Sequence, residues 1–127
     1  MGINNKLIIA TNLDTARLNA LLSVCGPLGI SVKTIDSSKY RKSMGSLAGI
    51  PGISALAKED EDCPVEMEMI VFCGVDDETL DAYLDSSRDL GFKQVELKAV
   101  LTPVNITWSF RKLYSELFKE NQCIPKI

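Results

Sequence analysis

Ile8-Ile9-Ala10-Thr11-Asn12-Leu13-Asp14 and Ile70-Val71-Phe72-Cys73-Gly74-Val75-Asp76 are the two stretches that decide the fold. Each is a short apolar run that ends in an aspartate suited to cap a helix. After Asp14, Leu18, Leu21, Leu22 and Cys25 recur at i, i+3, i+4 and i+7, one face of an α-helix. After Asp76, Leu80, Tyr83, Leu84 and Ser87 do the same. Leu13 can staple onto Leu18, and Val75 onto Leu80. Gly29 and Gly91 fit the left-handed position that ends such helices.

A shift of 62 positions lays residues 8–35 on 70–97 without a gap. Ile8 falls on Ile70, Asp14 on Asp76, Leu18 on Leu80, Ala20 on Ala82, Leu22 on Leu84, and Leu28-Gly29 on Leu90-Gly91. We read two copies of one β-α-β unit, at 6–36 and 66–101, in a single domain spanning 1–127. The match weakens in the closing strands, where Val32 falls on Gln94 and a further three-residue shift restores the alternation (Val32 on Leu97, Ile35 on Val100).

Strands one (6–11) and three (66–74) are apolar on both faces. Leu7, Ile9, Met69 and Val71 lie on one face, and Ile8, Ala10, Ile70 and Phe72 on the other. Strands two (30–36) and four (94–101) alternate, as edges do. This predicts an α+β, ferredoxin-like βαββαβ sheet with strands one and three central and two helices on one face. A final helix over 103–120 would cover the other face, with a stripe of Ile106, Phe110, Leu113, Tyr114, Leu117 and Phe118. Thr102 is its expected cap, Pro103 its first turn, and Val104 and Trp108 point away from the stripe. A second subunit is the other way to cover that face. The alternative fold is an α/β open parallel sheet of order 2-1-3-4, with a crossover helix at 38–48.

Residues 37–64 link the two units. They suggest a short helix capped by Ser37 or Ser38 with Tyr40, Met44 and Leu47 inward, then a looser stretch and the acidic run Glu59-Asp60-Glu61-Asp62. A connection this long is functional or mobile as a rule.

Leu101-Thr102-Pro103-Val104-Asn105-Ile106-Thr107-Trp108 is the most distinctive segment. It resembles the L-T-P-x-N-x-x-W signature, followed by an amphipathic helix, of a bacterial domain family of unknown function. The resemblance covers residues 68–120 best and brings no activity, substrate or cofactor.

The chain has 127 residues, a net charge of −3 and no histidine. That excludes histidine acid–base chemistry and histidine metal ligands, and it argues against nucleic acid as a partner. No run is long enough to cross a membrane. The start, from Met1 to the strand, lacks a signal-peptide core, so a cytoplasmic location is expected. Cys25, Cys63, Cys73 and Cys123 show no C-x-x-C spacing. Cys25 and Cys73 read as core, Cys63 and Cys123 as surface. The acidic run lacks calcium-loop spacing and reads as a solubilising loop. Met44–Gly49 is no phosphate loop, because no Gly-Lys-Ser/Thr follows.

Two clusters remain as candidate ligand sites. Thr102, Asn105 and the first-turn amides could hold an anion, with Trp108 as a wall, although a purely structural helix start explains them as well. Tyr40, Arg41 and Lys42 could meet phosphate or an acidic partner, although a solvated face explains them too. We expect no catalytic residue, no metal and no cofactor. The functional expectation is a non-enzymatic regulatory or protein-interaction module, acting as a homo-oligomer or with a protein partner. The alternative is an anion or nucleotide sensor, laid out like the nitrogen-regulatory proteins but without their motifs.

Overall fold

The computed structural model describes residues 6–123, with side chains as far as Glu120; the first five residues and the Cys123 side chain lie outside the described residues. The elements run β1 (Lys6–Thr11), α1 (Thr15–Cys25), β2 (Ile30–Thr34), α2 (Met44–Leu47), β3 (Met69–Cys73), α3 (Asp77–Asp89), β4 (Leu97–Val100) and α4 (Phe110–Cys123).

The chain is α+β, with one mixed sheet of order β2-β1-β3-β4. β1 runs parallel to β2, β3 parallel to β4, and β1 antiparallel to β3. Strands one and three are therefore central, as their two-sided apolar pattern requires. The antiparallel β1–β3 pair excludes the all-parallel alternative, although its strand order is the one seen. The residues expected to form its crossover helix make only a 3-10 turn (Ser37–Lys39) and the single turn of α2, and the connection delivers β3 antiparallel to β1. The sheet also departs from the ferredoxin-like split, because no strand is inserted within either β-α-β unit.

The two units carry the same devices at the same offset. Asp14 accepts from Arg17 N and Asp76 from Thr79 N, both at 2.8 Å. Gly29 and Gly91 both end their turns at positive φ. Asn12 and Gly74, at the strand-to-helix corners, also share positive φ, at 64° and 69°. Asn tolerates that conformation because its short amide bonds locally. Here the Asn12 side chain donates to the carbonyls of Val65 and Met67.

The inner strands are covered on both faces. Ile8, Ala10, Ile70 and Phe72 pack with Leu21, Val24 and Cys25 of α1 and Tyr83 of α3. Ile9, Met69, Val71 and Leu97 pack with Phe110, Leu113 and Tyr114 of α4, and also with Ile35, Met44 and Leu47 from the connection. The predicted lid is thus shared between α4 and the linker. Burial pushes the thiol of Cys25 up to about 11 and that of Cys73 up to about 12, so both stay protonated hydrophobes.

The final helix starts seven residues later than predicted. Residues 105–107 form a 3-10 turn, Trp108 is extended, and α4 begins at Phe110. Asn105 causes the break. Its Oδ1 accepts from Thr102 N at 2.9 Å and its Nδ2 donates to Val100 O at 3.1 Å, closing the turn upon itself. Ser109 caps α4 instead, accepting from Lys112 N at 3.0 Å. Ile106 leaves the helical stripe, and Trp108 packs against the second core rather than pointing away from it.

Strands three and four are also shorter than predicted. The N–H groups of Glu66 and Met67 donate to Tyr114 Oη, which withdraws them from the ladder. Strand four pairs with β3 only over Leu97–Val100.

Gly45 is the tightest point of the linker. A Cβ there would meet Ile53 Cγ2 at 2.7 Å and Ile106 Cγ1 at 2.9 Å. Both neighbours are β-branched and stiff. Gly45→Ala gains about 1 kcal/mol of helix propensity at most, and the overpacking costs roughly 1–3 kcal/mol. The variant should therefore melt several degrees lower, measured by thermal denaturation.

Candidate functional site

Residues 35–68, which we call the strap, form an ordered structure. Ser43 caps α2, its Oγ accepting from Ser46 N at 3.3 Å and donating to Ser54 O at 2.5 Å. Ser43 N donates to Ala55 O, and Lys42 pairs with Leu56 across an antiparallel bridge. The strap then grips the extended segment before α4. Met44 N donates to Trp108 O at 2.8 Å, Lys58 N to Thr107 O at 2.8 Å, and Ser109 N to Glu59 O at 2.9 Å. Phe110 N and Arg111 N donate to the carbonyls of Lys42 and Tyr40. Trp108 and Ser109 are thus held between two pieces of the strap.

The acidic run, expected to be a solvated loop, is instead a clasp on α4. Arg111 forks onto Asp60 through Nε (2.8 Å) and Nη2 (2.7 Å), and Nη1 reaches Asp62 at 3.0 Å. Ser109 Oγ donates to the same Asp60 carboxylate at 2.6 Å. Glu61 accepts from Ser115 Oγ and pairs with Lys119 at 3.2 Å. Arg111, with Ser109 helping, holds the Asp60 carboxyl well below the usual carboxylate range. Ser115, then Lys119, lowers that of Glu61. Cys63 is half-buried beside the clasp and donates to Arg111 O at 3.3 Å.

The predicted site residues divide. Thr102 and Asn105 bond each other, Thr102 Oγ1 accepting from Asn105 N at 3.2 Å, and Asn105 is buried. Tyr40 stacks on Phe110 with ring centroids 5.5 Å apart. Thr11 gives its only hydroxyl proton to Ile35 O, so the 2.6 Å bond between Tyr40 Oη and Thr11 Oγ1 has tyrosine as donor. Tyr40 therefore faces the interior. Arg41 is exposed and Lys42 half-exposed, and Lys112 Nζ lies 5.2 Å from the Trp108 ring centroid. The strap sets the Lys42 backbone against Phe110 and that of Met44 against Trp108, and the Thr102–Asn105 turn is closed by its own hydrogen bonds.

Sequence reasoning missed Leu56 and Lys58. With Ser43, Gly52, Ile53, Ser54 and Thr107 they line a shallow cleft of about 180 Å³. Leu56 is 81% exposed, although its backbone is fixed on both sides of the bridge. Residues 37–58 contain Lys39, Arg41, Lys42 and Lys58 and no acidic residue. None of these four forms a salt bridge among the described residues, whereas Asp60, Glu61 and Asp62 are all paired with α4. The signal in the sequence was the absence of acids from 37–58, followed at once by four in a row.

A second groove, of about 520 Å³, lies where α1 meets the segments before β3 and β4. Its centre is Arg17, which forks onto Glu68 (2.9 and 2.8 Å), donates to Lys93 O at 2.6 Å and lies over Phe92. All three guanidinium nitrogens are engaged, so Arg17 ties α1 to the second unit rather than offering a free cation. Among the described residues, no group of three or more His, Cys, Asp or Glu is placed to hold a metal, and no helix is long and apolar enough to cross a membrane.

Residues 68–124, a stretch that includes β3, α3, β4 and α4, match a domain of unknown function (DUF3783). This agrees with the expectation of an uncharacterised domain over the second half. No curated protein and no solved structure matches the chain.

The clasp makes a pH prediction. A carboxyl held low in the folded state contributes stability above its unfolded pKa of about 4, and that stability is lost as the pH falls below it. Asp60→Asn should lower stability at pH 7 by about 1 kcal/mol, since a third of the side chain meets water. The melting temperature of the variant should fall less steeply than that of the parent between pH 5 and about pH 2. Thermal melts across that range check both.

Proposed function

We propose that the protein is a non-enzymatic regulatory or protein-interaction module that works through the strap. One observation carries the reading: the strap's backbone is bonded to the segment before α4, Asp60, Glu61 and Asp62 pair with α4, and Lys39, Arg41, Lys42 and Lys58 form no salt bridge among the described residues. A loop kept only for spacing has no need of this arrangement, whereas a docking platform benefits from being preorganised. The reading takes the protein to act in the bacterial cytoplasm, as a homo-oligomer or with a protein partner. It takes the two β-α-β units as an internal repeat, which the shared caps and corner conformations support.

The second reading, an anion or nucleotide sensor, is favoured by the Lys112 cation lying over Trp108. Two features weigh against it. Asn105 and Thr102 are committed to their own turn, and Tyr40 to Thr11. What is left is a shallow, exposed basic surface, without the enclosure small ligands use.

Trp108 is the chain's single tryptophan and reports on this surface. Nucleotides and organic anions should leave its fluorescence and the melting temperature unchanged. A ligand at a hundred times its dissociation constant would stabilise the fold by about 2.7 kcal/mol. A shift of that size with any of them would favour the sensor.

A further inference from the structure

We infer that the cleft between Leu56 and Lys58 is the docking site for an acidic protein segment carrying large apolar side chains. This rests on the interaction reading above and names its surface and the chemistry of its partner.

The argument begins with charge. The whole chain is at −3, yet residues 37–58 hold four cations and no anion. Lys42 and Lys58 flank Leu56, the first across the bridge and the second two residues on and lining the same cleft. The nearest acid in sequence, Glu59, is exposed, and its carbonyl rather than its side chain binds Ser109. A strongly acidic partner would be steered here and repelled from α3, which carries Asp77, Glu78, Asp81, Asp85 and Asp89.

Charge alone would suit phosphate or nucleic acid equally. Leu56 selects between them. A single exposed leucine is ordinary on a mobile loop, but this one is fixed. Ser43 binds Ala55 and Ser54, and Leu56 N donates to Ser54 Oγ at 3.1 Å. Beside it the cleft is walled by Ile53, half-buried, and by Thr107. An exposed leucine on a held backbone beside a small cleft, with unpaired cations around it, offers an apolar contact inside a polar rim, the layout of a protein interface. Neither phosphate nor a nucleic-acid backbone has a group to bury against Leu56.

The test uses the full chain and two fluorescein-labelled synthetic peptides of about a dozen alternating Glu and Asp residues. One has Leu-Phe at its centre and the other Ser-Ser. Fluorescence anisotropy should show the Leu-Phe peptide binding at least tenfold tighter than the Ser-Ser peptide. Lys58→Glu and Lys42→Glu should each weaken it at least tenfold. Leu56→Ser should abolish the difference between the peptides. Arg88→Glu, the same charge change on α3, should alter binding less than twofold. Lys58 is exposed, so Lys58→Glu keeps its fold, and an unchanged melting temperature confirms that control.

Equal binding of the two peptides, indifference to Lys58→Glu, or no binding would overturn the proposal. So would self-association in sedimentation that Lys58→Glu dissolves, which would assign the patch to a second copy. Amide NMR shifts separate this failure from failure of the interaction reading. If an uncharged or basic apolar peptide shifts another face, the surface assignment falls and the interaction reading stands. If only inorganic phosphate or a nucleotide shifts residues 42 and 58, both fall.

Discussion

Two-sided burial of the inner strands is the constraint on which the rest of the structure depends. Every residue of β3 is buried, and so are Ile8 through Thr11 of β1. Strands of that composition cannot leave either face to water, because each apolar side chain left exposed forgoes about 1.5–3 kcal/mol. The first face is covered by the helices that the β-α-β units supply. The second has no cover of its own, and the chain must bring one. It does so with α4 and with a connection long enough to reach back over the sheet.

That division of labour explains the linker's composition. A single helix with the α4 stripe covers only part of the second face, and Met44 and Leu47 fill the remainder. Bringing a loop onto a sheet raises the problem of its backbone polar groups. The strap answers by pairing with residues 107–111, so that α4 and the strap satisfy one another. The Asp60–Arg111 fork and the Glu61–Ser115 contact then fix where the strap lands on the helix. Pairing Asp60, Glu61 and Asp62 with α4 has a second result, for it leaves Lys39, Arg41, Lys42 and Lys58 without a salt-bridge partner among the described residues. The functional reading grows from the fold in this way rather than from any motif.

Much of this was legible in the sequence. The apolar faces of strands one and three, the caps at Asp14 and Asp76, and the terminating glycines could be read because each rests on local chemistry. Strand direction could not be read. Either direction places the same residues inside, and the choice turned on whether 38–48 made a crossover helix. The start of α4 was misjudged because Thr102-Pro103 is a sound helix start in isolation. Asn105 closes the turn with side-chain bonds to residues 100 and 102 that no periodicity reveals. The candidate site was legible in part. Lys42 was found, but Leu56 and Lys58 become neighbours of Lys42 only through a bridge between segments fourteen residues apart. The acidic run was misread because its partners, Ser109, Arg111 and Ser115, lie some fifty positions away.

Native-state hydrogen exchange tests the central claim most directly. If the inner strands are the buried heart and the strap and α4 are one cooperative cover, amides of β1 and β3 should exchange only on global unfolding. The amides of Met44, Lys58, Ser109 and Phe110 should then exchange together with those of α4, in one common, less costly opening. Free exchange of the strap amides while α4 stays protected, or β3 amides exchanging as fast as the strap, would contradict the account.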